Sequence, residues 1–187
     1  MASQADYQRL KDTLHNTSGD VPLANRFRAL FSLKGLATEQ AIDIIGAGAS
    51  VPALYRLVLS VSRTALPKSS ALLGHELAYC LGQIGSTHAL PTLEATLRDE
   101  KVHPMVRHEA AEAMGAISSL DSLPVLREFR DKAGECQAVV ETCQIAVAKV
   151  EWDHQSASSE KTARRCVCSH VAIQARCEMR RTVYTTR

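Results

Sequence analysis

The chain repeats itself every 33 residues, and that period restricts it to very few folds. HELAYCLGQIGSTHALPTL, beginning at His75, aligns without gaps with HEAAEAMGAISSLDSLPVL, beginning at His108. The matches are the His-Glu pair, Ala78/Ala111, Gly82/Gly115, Ile84/Ile117, Ser86/Ser119, Leu90/Leu123, Pro91/Pro124 and Leu93/Leu126. Another step lands on Glu141-Thr142, after which Ala146, Val147 and Val150 track Ala113, Met114 and Ile117. Upstream, RFRALFSLKGLATEQAIDII is a further copy, with Phe27-Arg28 in the His-Glu position and Leu33 matching Leu81. It lies more than one period before His75, and the excess falls in GAGASVPALYRLVLSVSRTALPKSS, which reads as a loop insertion or a short extra helix. Self-similarity at this length marks stacked arrays in which neighbouring units bury each other's apolar faces.

Each unit reads as two helices. In the central copy residues 72–84 form the first, Ser86-Thr87 begins the turn, and residues 88–98 form the second. Pro91 and Pro124 then fall in the first turn of their helices, where a missing N–H costs little. The period also fits tetratricopeptide and ankyrin repeats, but the signature residues of neither are present. With 45% hydrophobic and only 4% aromatic residues, small aliphatic side chains must fill the core, which suits closely packed helices. The expected fold is all-α, an α-solenoid of short HEAT-type helix pairs. Residues 1–20 are expected to be a polar helical lead-in and 21–152 the repeat domain, with its insert at about 47–69. Residues 153–187 read as a polar linker and a disordered basic tail.

A formal charge of +2 gives no electrostatic case for nucleic acid or a membrane surface. The polar start MASQADYQRLKDTLHNTSGD is not a secretory leader, and no run of eighteen apolar residues suggests a membrane span. The expected address is the cytoplasm, with the nucleus as a second compartment. Cys80, Cys136 and Cys143 lie in helical patterns without disulfide-framework spacing and read as reduced core thiols. Cys166-Val167-Cys168-Ser169-His170 has no second ligand pair to complete a tetrahedral site.

The His-Glu pairs carry the chemistry. Stacked helices lie about 8–10 Å apart, so His75 and His108 can converge on one point. Adjacent helical positions differ by about 100°, so Glu76 and Glu109 can line the same concavity. Two imidazoles and a carboxylate with open positions make the facial site used by non-haem Fe(II) oxygenases. A structural reading stands beside it: hydrogen-bonded core histidines, or a consensus with a packing role. Against that reading, the outer copies keep the helix and drop the pair, and a buried carboxylate without a cation is costly.

HELAYCLGQ and MVRHEAAEAMGAI, with RFRALFSLKGL before them and VETCQIAVAKVEW after, closely resemble deoxyhypusine hydroxylase, over residues 22–46 and 70–152. That family is a HEAT-repeat di-iron monooxygenase that uses O₂ to hydroxylate the deoxyhypusine side chain of a eukaryotic translation initiation factor. The resemblance implies an Fe(II) held by His75, His108 and Glu109, with Glu76 as a further ligand or as the anchor for the substrate's amine. Family members have two halves and four His-Glu pairs. This chain has two pairs, as in an N-terminal half, so one iron per chain at most is expected, and pairing of two copies would restore the full set. Residues 47–69 and 163–187 have no counterpart in the family. The competing expectations are a small HEAT scaffold that binds a partner without catalysis, and a mononuclear Zn or Fe site without oxygenase chemistry. His88 and His103 are expected at the solvated surface, Arg26 and Arg28 on the outer face of the first unit, and Trp152 as a seal on the last repeat.

Overall fold

The computed structural model describes residues 2–49 and 68–166. Among them are eight α-helices and no strand: α1 (Gln4–His15), α2 (Leu23–Leu36), α3 (Glu39–Ala49), α4 (Lys68–Ile84), α5 (Leu90–Arg98), α6 (Pro104–Ile117), α7 (Leu123–Arg130) and α8 (Gln137–Cys166). Met1–Val150 form one compact unit, which holds the repeats, and Glu151–Arg187 a second. Within the first, α1 packs on α2, α2 and α3 on α4, and α4 and α5 on α6. That is the ladder of helix pairs expected of an α-solenoid.

Most residues that match at the 33-residue interval do work that every helix pair needs. Ala78, Ala111, Leu93 and Leu126 are fully buried. Ser86 Oγ accepts the His88 N–H and Ser119 Oγ the Asp121 N–H, each at 3.3 Å, capping the 3₁₀ turns that lead into α5 and α7. Pro91 and Pro124 stand in the first turn of those helices. A Cβ on Gly82 would come within 2.8 Å of Ala113, and one on Gly115 within 2.8 Å of Ala146. Glycine facing alanine, twice, sets how closely α4 approaches α6 and α6 approaches α8. Only the His-Glu pair is matched without a packing role of this kind.

The polar N-terminal segment is tied to the first repeat. Ser3 and Asp6 form a capping box on α1, and Tyr7 and Thr38 share a hydrogen bond of 2.8 Å between their hydroxyls. His15 Nε2 meets the Ile44 carbonyl at 2.8 Å, and Arg26 Nε donates to the Leu14 carbonyl at 2.9 Å. Arg28 donates to Asn25 on its own helix. Cys80 and Cys143 are buried free thiols, pushed up to about 11 and about 12 by that burial, and so are unreactive. Cys136 is also a free thiol, partly buried.

Other expectations are corrected. The final helix continues through the stretch from residue 153 that reads as a linker, as far as Cys166. Cys168, His170 and the basic tail lie outside the described residues, as do residues 50–67 of the insert. Trp152, expected as a seal on the last repeat, is 67% exposed. No helix among the described residues is long and apolar enough to cross a membrane.

A buried ion pair braces the far end of the repeats. Arg107 donates from Nε to the Leu97 carbonyl at 3.0 Å and from Nη1 to Glu135 Oε1 at 2.9 Å; both charged side chains are 5% exposed. The hydrogen bond from Arg107, aided by the Cys136 N–H, holds the Glu135 carboxyl down at about 2 against the 4.5 of an ordinary glutamate. A carboxylate depressed in the folded state stabilises the fold above its unfolded value, and that contribution fades as pH falls from about 4.5 toward 2. Glu135→Ala is expected to cost about 3 kcal/mol at neutral pH and to flatten the acid limb of a stability profile followed by circular dichroism. An acid limb identical to the parent's would show that the brace contributes nothing there.

Candidate metal centre

His75 on α4 and His108 on α6 occupy equivalent rungs, and the close approach of the helices at Gly82 brings their rings together. The centroids are 5.7 Å apart with the planes tilted by 52°. Glu109, next to His108 on α6, places Oε2 2.9 Å from His75 Nε2. One ligand atom from each of His75, His108 and Glu109 lies within 4.8 Å of the other two. A first-row ion bound at about 2.0–2.2 Å needs donors roughly 3–4 Å apart, which small side-chain rotations would supply.

Glu76 does not join this group. Its Oε1 is 3.5 Å from His75 Nδ1 and its side chain is 25% exposed, whereas that of Glu109 is 6% exposed. The two His-Glu pairs are therefore unequal: one carboxylate is buried among the imidazoles and the other stands at their edge.

The donor atoms suit a cation. His75 Nδ1 and His108 Nε2 are buried and have no hydrogen-bond partner among the described residues. Leaving such an atom unsatisfied costs about 1–3 kcal/mol. Burial, and then the proximity of His75, lowers the His108 pKa and so favours the neutral imidazole, the form that ligates. Burial pushes the Glu109 carboxyl above its usual range; His75 opposes the rise, while Glu112 and Glu76 add to it. A carboxylate held in that environment is stabilised by a nearby positive charge.

Glu112 belongs to this field and was not singled out from the sequence. It lies four residues after His108, hence on the same face of α6, and its exposed carboxylate acts on both His108 and Glu109. The spacing HEAAE was the available signal. His88 and His103 have local roles at the surface. His88 pairs with Asp43 at 2.8 Å, and His103 Nδ1 accepts the Met105 N–H at 3.1 Å as the cap of α6.

Comparison with known proteins finds chains similar to this one. A model of HEAT repeats matches residues 63–142. A deoxyhypusine hydroxylase from Gibberella zeae is 44% identical over 155 residues, covering 79% of this chain and 41% of that protein. One from Phaeosphaeria nodorum is 49% identical over 138 residues, covering 74% of this chain and 39% of its own. The solved structure of human deoxyhypusine hydroxylase in complex with glycerol superposes with a TM-score of 0.63 at 38% identity, covering 82% of this chain and 47% of the human one. This chain is similar to part of these deoxyhypusine hydroxylases. It spans about two-fifths of the length of the curated deoxyhypusine hydroxylases it matches.

Proposed function

We propose that His75, His108 and Glu109 hold one iron ion and that the chain acts as half of a deoxyhypusine monooxygenase. The reaction is the hydroxylation by O₂ of the deoxyhypusine side chain of a eukaryotic translation initiation factor. One oxygen atom enters the C–H bond and the other leaves as water, with two electrons and two protons drawn from an external reductant. The observation that carries this reading is the pair of buried imidazole nitrogens without partners, set around a buried carboxylate whose pKa is raised. A scaffold that only bound a partner would have no use for them. Bound iron supplies the O₂ activation that attack on an unactivated C–H bond requires.

The chain's other residues handle the substrate. Deoxyhypusine is a long aliphatic side chain bearing amines that are protonated at neutral pH. Glu76, at the edge of the donor group, attracts one of them by charge and orients the chain past the metal. Glu112, on the neighbouring helix, adds to the negative field. A cytoplasmic address, with access to the nucleus, fits a translation-factor substrate.

The test is reconstitution of the full chain with Fe(II), followed by incubation with the deoxyhypusine-bearing factor under O₂ in the presence of a chemical reductant. One iron per chain and a single oxygen atom added to the side chain, read by mass spectrometry, are expected. Absence of both iron and product would refute the reading. Glu76→Gln is expected to raise KM for the protein substrate about tenfold, the value of one charged hydrogen bond, with iron content unchanged. If iron were lost instead, Glu76 would be a ligand.

A further inference from the structure

The Lys34 ammonium, on α2, sits in a cradle of two aromatic rings and an amide oxygen. It lies over the Phe31 ring at 5.8 Å and over the Tyr79 ring of α4 at 5.7 Å, and it donates to Gln83 Oε1 at 2.6 Å. The Gln83 amide nitrogen donates in turn to the Tyr79 hydroxyl at 2.7 Å. That second bond fixes the amide so that its oxygen faces the cation. Arg98, Arg107 and Lys132 each meet a carboxylate; among the described residues Lys34 has no such partner. Ring faces and an amide oxygen accept any alkylammonium ion, because they read only the charged end and its methylenes. At exposed sites each ring contributes roughly 2–5-fold in affinity, and Phe31 and Tyr79 are 47% and 38% exposed. Lys34 is therefore held loosely, on a flexible four-carbon stem.

The cradle adjoins the metal centre. Phe31 and Tyr79 stand one helical turn beyond Phe27 and His75, on the same faces of α2 and α4. Phe27 and Phe31 stack, with centroids 6.4 Å apart, so the aromatic wall runs back to the rung of the histidines. One turn rises about 5.4 Å, the reach of a short alkyl chain. We infer that Phe31, Tyr79 and Gln83 form a binding site for a primary alkylammonium group, in which Lys34 is a resident occupant that the ligand displaces. In its natural ligand the inference rests on the proposed function and extends it. A deoxyhypusine side chain is an alkyl chain with one ammonium within it and another at its end. Glu76 attracts the first, and the cradle receives the terminal one further along α4. A lysine is the nearest copy of that terminus that a protein chain contains, and its place between the rings indicates what the rings accept.

The experiment is calorimetric titration of the full chain, supplied with Fe(II), with n-butylammonium chloride. Lys34→Ala is expected to bind it about tenfold more tightly than the parent, because no resident ammonium competes for the two rings. A lysine kept only to tether α2 to α4 would give no such gain. In the Lys34→Ala background Tyr79→Leu should abolish the gain, and Tyr79→Phe, which keeps the ring, should retain most of it. Phe31→Leu makes the same test from the other helix should the Tyr79→Leu protein fail to fold. Equal affinity of Lys34→Ala and the parent, or an equal gain for the uncharged n-butanol, overturns the inference. With the deoxyhypusine-bearing factor, Tyr79→Leu should raise KM about fivefold, the weight of one ring; an unchanged KM would overturn the assignment of the cradle to that substrate. A gain for Lys34→Ala without turnover by the parent would uphold the cradle and refute the functional reading. Turnover by the parent without that gain would do the reverse.

Discussion

The His108→Ala protein is expected to take up no iron and yet to fold as well as the parent. A histidine retained for packing or hydrogen bonding behaves otherwise, because its removal strands the partner it satisfied. His108 Nε2 has no such partner and is buried, so the alanine variant loses an unsatisfied atom, offsetting part of the contact area lost with the ring. Stability without metal should therefore stay within about 1 kcal/mol of the parent. Metal affinity should fall by more than the roughly 10–100-fold that follows removal of an outer-shell partner, since a donor itself is gone and two remain. Thermal melts read both effects together. Added Fe(II) or Co(II) should raise the parent's Tm by mass action and leave that of the variant where it was. If the variant melted far below the parent without metal, or kept its iron, His108 would be a core residue after all.

Gly82→Val is expected to weaken the fold and the metal centre together. Even a single added carbon would meet Ala113 Cα and Cβ at 2.8 Å, and backbone cannot swing aside as the end of a side chain can. Overpacking of this kind costs about 3 kcal/mol, or a fall in Tm of roughly 6–12 °C for a chain of this size. The damage extends to the site, because the spacing of α4 and α6 also sets the separation of the imidazoles. Metal affinity should fall along with Tm. Gly35 supplies the control. A Cβ there meets nothing within 4 Å, so Gly35→Ala should leave stability unchanged or raise it by up to about 1 kcal/mol. Equal melting of Gly82→Val and the parent would mean that the glycine-alanine contact does not set the helix spacing.

These outcomes separate what is written locally in the chain from what is not. Helix pairs, their first-turn prolines and the serines that start the 3₁₀ turns are legible because each follows from a residue's own backbone preference and recurs at a fixed interval. The equivalence of His75 and His108 is legible for the same reason. The stretch from residue 153 misleads because its polar composition resembles a linker, while Ser, Glu, Lys and Ala at those positions are also compatible with a solvated helix.

By itself the sequence determined which residues are equivalent, and hence that two imidazoles share one side of the helical ladder. The tertiary structure alone decided that Glu109, and not Glu76, is buried with them, that Gly82 lies on Ala113, and that Arg107 finds Glu135 across 28 residues of chain. Periodicity reports which positions face alike. It does not report the depth at which a side chain sits, or what closes over it, because both depend on the neighbouring helix that arrives from elsewhere in the chain.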